Sequence, residues 1–514
     1  PSIISFVSMF LLAYVLAVKI TAKISAGLLT CLFLAFRSSK TLFVWLANLP
    51  GGTNPWKALA DNYDFIASTP NEEWGLWNLN VFCNQRHLAF GIAGILLIII
   101  FFLPHLYEMF DGTGEVSYDT DGQQSARRAA AYGRSGTVSY NMTEQRPTGT
   151  REIIINRPSD RQPGRLIDRF KQIFFTRSGW EVRDLRLSIA SGVLLGSMAF
   201  FNGAAVIACL LVLFMTAILS KRRLELVITA GITVLLSTLQ THLFIHGNAV
   251  NAKLLFGFIA DHKTIFGSAA YLGRLLGILP FVLLAAFCLE KGVGRYLIAV
   301  FTLPLVFAFT VSLTVDVMVN HKYIMISCML LSVFAASFLV RIWEERDFFL
   351  QFVAIILIIM LTATGLYDYT TVLKKNVPSS DFVLKLDDPL TLWIRENSDS
   401  RDIFLTASYS LNQVVLGGAM LYQGWQYYAW SAGYDTFYRD DMVKLMYEAQ
   451  SPADLDVLVK QNKIRFIIVD YDNRVSELYT VNEDNIRTAY QCVYSEGEGE
   501  WATSVYDTKR PLFQ

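Results

Sequence analysis

"LSIASGVLLGSMAFFNGAAVIACLLVLFMTAIL", residues 187–219, is 33 apolar or small residues long, and its reading decides the topology of the chain. It is either one overlong helix or two helices reversing at Asn202-Gly203. A bilayer-spanning helix needs about 20 apolar residues. The basic loops separate the two readings, because Lys and Arg gather on the cytoplasmic side of a membrane. With Lys19 and Lys23 placed inside, strict alternation through a hairpin also puts inside Lys221, Arg222 and Arg223, then Lys291 and Arg295, then Arg341 and Arg346. A single helix would send every later loop to the opposite side. The hairpin is therefore expected.

The rest of the chain fits a multi-pass membrane protein. Of its 514 residues, 53% are hydrophobic and 17% charged, and the mean hydropathy is +0.38. Those values lie outside the range of soluble domains. The formal charge of zero gives no reason to expect nucleic acid. The six cysteines stand singly, which argues against a disulfide framework or a zinc site. Pro1 opens the chain without a basic leader region, so its start reads as a truncation.

Further spans are expected at 88–105, 224–244, 275–290, 296–316, 322–340 and 348–367, with shorter or interrupted ones at 2–18 and 25–48. With the hairpin that makes about ten. The predicted fold class is a polytopic α-helical membrane protein with a C-terminal exoplasmic α/β domain. Its expected parts are transmembrane helices over 1–105 with an exoplasmic loop at 49–87, a cytoplasmic and partly disordered loop at 106–186, a second bundle at 187–367, and a soluble domain at 368–514. In that last part "DIFLTA", "QVVLGGAM" and "IRFIIVD" read as strands, and "DDMVKLMYEA" and "SPADLDVLVKQ" as helices, with Ser451 a cap ahead of Pro452. The Asn141-Met142-Thr143 glycosylation pattern falls in the cytoplasmic loop, which discounts it.

Two polar tripeptides open apolar helices from the predicted exoplasmic side: Gln85-Arg86-His87 and Asn320-His321-Lys322. Charges at a membrane edge need partners, and their default reading is functional. An Arg and a Lys at one depth suit the phosphate of a lipid carrier, the first by bidentate contact and the second as a point charge. The bland reading is that both snorkel to anchor helix ends. Arg37 and Lys40 interrupt the span 25–48, so a broken helix is expected there, with the two cations facing a cavity or lying on the surface. Five of the six histidines, all but His105, fall on or near the exoplasmic face. Interface tolerance and a functional cluster both account for them.

A sugar transfer needs a carboxylate as general base and cations where charge builds on a leaving phosphate. Asp316 and Asp261 are the weak candidates for the base, and a loop ion pair explains either as well. In the C-terminal domain the aromatic segment "YQGWQYYAWSAGYDTFYRDD" offers Trp425, Trp430, Tyr434, Asp435 and Arg439 as sugar or acceptor contacts. Packing on the membrane, docking on exoplasmic loops and plain core remain open beside that reading.

"WGLWNLNVFCNQRHLAFG" resembles the N…QR(S/H)…G segment found ahead of a membrane helix in multi-pass proteins related to the GT-C glycosyltransferase superfamily. That group includes protein-mannosyltransferase-like and uncharacterised YYY-type bacterial and archaeal membrane proteins. "VNHKYIMIS" is similar to their Asn-x-Lys at a helix mouth, and "GWQYYAWSAGYDTFYRDDMVKLMYEA" to their terminal exoplasmic segment. The resemblance implies a membrane glycosyltransferase that takes its sugar from a polyprenyl phosphate and acts outside the cytoplasm, in a bacterial plasma membrane. It puts the acidic motif of the first exoplasmic loop upstream of Pro1. No cofactor is implied with certainty, and a divalent metal ion stays open. The competing expectation is a non-enzymatic protein, either a transporter of lipid-linked sugar or a structural subunit of the cell envelope; no internal repeat of the transporter kind is visible.

Overall fold

In the computed structural model, the described residues are 2–66, 86–111, 175, 177–244, 252–313, 318–376, 384–407, 413–431 and 434–513. They divide into two compact units, a helical one extending to Val377 and a second comprising mainly Pro378–Gln514.

Among the described residues, seven helices of the first unit, 18 to 28 residues each, are long and apolar enough to cross a membrane. At about 1.5 Å per residue they reach roughly 27 to 42 Å, against about 30 Å of hydrocarbon. They are Ser2–Thr21, Arg86–Asp111, Ala199–Leu219, Arg223–Phe244, Val293–Thr310, Met318–Glu344 and Phe348–Lys375. Ile24–Ala35 and Leu185–Ser197 are shorter apolar helices. The expected span 275–290 is different: Ile265–Leu276 and Leu279–Leu289 form a pair bent by 105°. Gly277 at φ +60 ends the first helix, and Pro280 sits in the first turn of the second, so the apolar run hides a stop and a start.

The disputed stretch 187–219 reverses. Thr229 donates to the carbonyl of Ser188 (3.0 Å), and Thr233 to that of Gly192 (3.3 Å). A Cβ on Gly196 would meet Leu236. Positions therefore rise together along Leu185–Ser197 and Arg223–Phe244, which run parallel. The intervening Ala199–Leu219 must run the other way. Its entry is marked by Met198 and by Asn202, whose backbone is not helical (φ −157°, ψ 90°).

Gly192 and Gly196, four residues apart, let the two parallel backbones close up, and the Thr hydroxyls bond across the seam. A Cβ on Gly192 would stand 2.9 Å from the Thr229 carbonyl oxygen. Gly192→Leu is expected to destabilise the protein by about 1 to 3 kcal/mol through overpacking. Unfolding in detergent measures this, with Gly203→Leu, which faces open space, as the near-neutral comparison.

The basic loops meet at one end of the unit. Lys23 pairs with Glu344, Arg341 with Glu290 (3.3 Å), and the Tyr107 hydroxyl donates to the carbonyl of Lys19 (3.4 Å). His105 Nε2 lies 2.8 Å from Glu225, which also accepts from the backbone N–H groups of Arg183 and Asp184. Loops at 22–24, 107, 183–184, 220–225, 290–295 and 341–347 thus share a side, as the alternation requires.

Phe348–Lys375 runs past the expected end at Tyr367. Asp368, Tyr369 and Thr370 look like the start of a soluble segment. In the fold Asp368 is buried, while Thr370 and Thr371 return their hydroxyls to the Tyr367 carbonyl.

In the first unit two short strands, β1 Lys253–Leu254 and β2 Val311–Ser312, pair antiparallel. The second unit holds a five-stranded sheet in the order β4-β3-β5-β7-β6, with β3 Ile403–Leu405, β4 Met420–Leu421, β5 Phe466–Val469, β6 Tyr490–Glu496 and β7 Thr503–Pro511. β4 and β5 flank β3 in parallel, whereas β7 and β6 are antiparallel additions. Successive side chains enter opposite cores. Leu405, Ile467, Val469 and Tyr506 join one; Phe404, Phe466, Ile468 and Val505 join the other. Burial on both faces explains the continuous apolar run of β5. Ser451 caps Pro452–Gln461 as expected. "QVVLGGAM" is not one strand: Gln413–Gly417 is helical, Gly418 turns at φ +93, and only then does β4 begin.

Candidate functional site

Two interrupted helices meet in the first unit. Ile24–Ala35 and Thr41–Ala47 are separated by the non-helical residues 36–40, which include Arg37 and Lys40. The second break, at Gly277, packs on the first: the Ser38 hydroxyl donates to the Leu276 carbonyl (2.5 Å), and a Cβ on Gly277 would stand 3.0 Å from the Lys40 nitrogen. Backbone groups freed by a break at membrane depth must find partners inside the protein. Thr364 supplies two of them. Its hydroxyl donates to the Ser39 carbonyl (2.9 Å) and accepts from the Leu42 N–H (3.3 Å).

Gly365 lets the break lie directly on Phe348–Lys375, since a Cβ there would be 2.6 Å from the Arg37 nitrogen. Arg37, 7% exposed, faces Asp368, 0% exposed, at 3.4 Å. The other Asp368 oxygen accepts from the Ile66 N–H (3.3 Å), so the same carboxylate ties down the segment that follows the short helix Pro55–Asp61. Asp368 lies twenty residues beyond Phe348, or about 30 Å along the helix, hence near the end opposite the basic loops. A narrow cavity adjoins the break. Phe33, Leu276, Met325 and Leu361 are in its apolar wall, and Arg37 and Ser38 are among its polar members. Lys40 is exposed.

Asn320 and His321 are buried at the start of Met318–Glu344 and held by neighbours. Asn320 donates to the carbonyls of Ala308 (2.9 Å) and Val311 (2.6 Å), satisfying the end of Val293–Thr310. His321 Nε2 lies 2.7 Å from the Tyr271 hydroxyl. Lys322 is half-buried at the start of Met318–Glu344, and its charge reaches His87, an exposed residue at the start of Arg86–Asp111. Gln85, Asp316 and the side chain of Arg86 lie outside the described residues. Asp261 is exposed and paired with Arg274 at 2.6 Å. No group of three metal-ligating side chains occurs among the described residues.

In the second unit Trp425, Tyr427, Trp430 and Phe437 line a shallow cleft, with the Tyr427 and Trp430 rings 6.0 Å apart. Tyr434 and Asp435 are exposed beside it, and Asp435 accepts from the Phe437 N–H (3.0 Å). Arg439 turns to the Tyr422 carbonyl and lies over that ring, 5.2 Å from its centroid. Gln423 donates to Asp440 (2.8 Å), which lowers the carboxyl's pKa, but partial burial prevails and raises it above its ordinary value.

Asp368, Thr364, Gly365 and Gly277 are absent from the sequence-derived candidates. Thr364, Asp368 and Thr371 are spaced by four and three, and all are fully buried. They form a polar stripe on one face of an apolar helix, and that periodicity is the signal that marks them.

No family model matches the chain, and no curated protein does. Among solved structures it is similar to the oligosaccharyltransferase of Archaeoglobus fulgidus tethered to an acceptor peptide containing the NVT sequon. The TM-score is 0.41 at 10% identity, covering 99% of this chain and 62% of that one. The same enzyme, AglB, with an inhibitory peptide and dolichol-phosphate scores 0.41 at 10% identity over 98% and 62%. The mycobacterial arabinofuranosyltransferase AftD scores 0.38 at 14% identity over 63% and 27%. The chain spans about three fifths of the oligosaccharyltransferase, and at these scores the likeness carries no substrate or partner over.

Proposed function

We propose that this protein is a membrane glycosyltransferase that takes a sugar from a polyprenyl-phosphate donor and passes it to an acceptor on the exoplasmic side. The observation that carries the reading is that His87 and Lys322 stand at the starts of Arg86–Asp111 and Met318–Glu344, at the end opposite the basic loops, with the charge of Lys322 within electrostatic reach of His87. Arg86 precedes His87 in sequence, and in this reading an Arg and a Lys serve one phosphate. The same unit also holds an apolar cavity with Arg37 in its wall, suited to a prenyl chain below a charged head.

In the proposed step an acceptor nucleophile bonds to the anomeric carbon as the carbon–oxygen bond to phosphate breaks. The charge that builds on the leaving phosphate is met by Lys322 and Arg86. The acceptor's proton passes to a carboxylate, and Asp316, six residues before Lys322, is the acid placed nearest in sequence. Arg37, held by Asp368, keeps the broken span in place beside the lipid.

Transfer from a polyprenyl-phosphate sugar by the membrane-reconstituted protein tests this. Lys322→Ala and Arg86→Ala are each expected to lower kcat by about a hundredfold, in line with the removal of one donor to a developing negative charge. Lys322→Arg should recover part of the loss. Unaltered transfer in both alanine variants would overturn the proposal.

A further inference from the structure

A cleft of about 490 Å³ opens at the edge of the C-terminal sheet where β3 and β5 begin. Five of its lining residues are cationic, Arg401, Lys460, Lys463, Arg465 and Lys509, against two acids, Asp402 and Asp456. That concentration runs against the domain around it. Residues 384–513 contain 20 Asp and Glu but only 12 Lys and Arg.

Two of the cations have work within the fold. Lys460 pairs with Asp456 at 2.6 Å, one turn away, and Arg465 grips both oxygens of Asp507. Arg401, Lys463 and Lys509 are different: among the described residues their side chains make no hydrogen bond or ion pair. Lys463 is also held at φ +57, on the turn between Pro452–Gln461 and β5. Like charges gathered in a concave site repel one another, and their joint potential is useful only to an anion.

We infer that this cleft binds an anionic saccharide, a chain whose carboxylates or phosphates span Arg401, Lys463 and Lys509. A flat anionic membrane fits less well, because a domain with eight more acids than bases is repelled by such a surface as a whole. A narrow ligand can enter the positive cleft without bringing its charge against the acidic remainder. That the anion is carried on a saccharide rests on the transferase reading. The cleft itself does not, and binding measured without any donor tests it separately from transfer.

The test is hydrogen exchange on the full-length protein in neutral-lipid nanodiscs, with trigalacturonate as probe and maltotriose as its neutral counterpart. Trigalacturonate is expected to protect amides near 401–403, 463–466 and 508–510, and maltotriose to leave them unchanged. The triple variant Arg401→Gln, Lys463→Gln, Lys509→Gln should weaken binding at least about tenfold. Raised salt should weaken binding to the unmodified protein in the same direction, a readout independent of how the variant folds. Absence of protection, undiminished binding by the folded triple variant, salt-insensitive binding, or equal protection by phosphatidylglycerol vesicles would each overturn the inference.

Discussion

Asp368→Ala is expected to cost about 3 to 5 kcal/mol, because it removes the buried carboxylate that pairs with the buried guanidinium of Arg37. The carboxylate has two tasks, one oxygen toward Arg37 and the other accepting from Ile66, so its removal also frees the segment after Pro55–Asp61. The charge term separates from the packing term in the double variant Arg37→Met, Asp368→Leu. Replacing both partners by apolar groups removes the buried charges, and the double variant should recover most of the loss. Reversible unfolding in detergent provides the comparison. A double variant as unstable as Asp368→Ala would mean that the pair is not a coupled unit.

Gly365 is the second position of large effect. A Cβ would come within 2.6 Å of the Arg37 nitrogen and 2.8 Å of the Phe36 carbonyl carbon, both backbone atoms. A flexible side chain can swing aside, but here the broken segment itself has to lift. Gly365→Val should therefore cost about 3 kcal/mol, at the upper end of ordinary overpacking. It should also loosen Ser39 and Leu42, which Thr364 holds from the neighbouring position. Gly231→Ala, in an apolar helix with nothing near the added atom, serves as the reference and should be neutral or slightly stabilising. Equal stability of the Gly365 and Gly231 variants would rule out a tight nest at the break.

What the sequence makes legible is governed by the range of the interactions involved. Apolar length and loop charge act locally, so the polytopic character and the reversal near Asn202 can be read directly, whereas the count of about ten spans exceeds the seven long helices found among the described residues, because bent and short apolar helices read as full spans. Ser451 and Pro452 likewise announce a helix start through their own chemistry. Arg37 and Lys40 identify a broken span, but not what the break rests on. That is set by Asp368, more than three hundred positions later, and by Gly277 on another element. Asp368 reads as the beginning of a soluble segment because a carboxylate following an apolar run ordinarily marks the water boundary. Only its partner Arg37 reverses that inference. Gly277 and Pro280 break the run 275–290, and they are outweighed when apolar content alone is counted.

The candidate site follows the same division. Asn320-His321-Lys322 stands out from its neighbours in sequence, but the three residues turn out to have different surroundings. Asn320 closes the end of Val293–Thr310, His321 meets Tyr271, and Lys322 is half-buried with His87 in its electrostatic reach. The aromatic segment divides too: Trp425 and Trp430 share a cleft, whereas Arg439 is engaged by the Tyr422 carbonyl. Residue type identifies what a position can do, and the partners within reach decide what it does.

The most direct measurement is photolabelling of the reconstituted protein by a short polyprenyl phosphate with a diazirine next to its phosphate. Labels are expected on peptides covering 86–88 and 320–323, and they should fall sharply in Arg86→Gln, Lys322→Gln. Labels confined to the basic end, around 290–295 and 341–346, or unchanged in the double variant, would contradict a lipid-phosphate site shared by the two tripeptides.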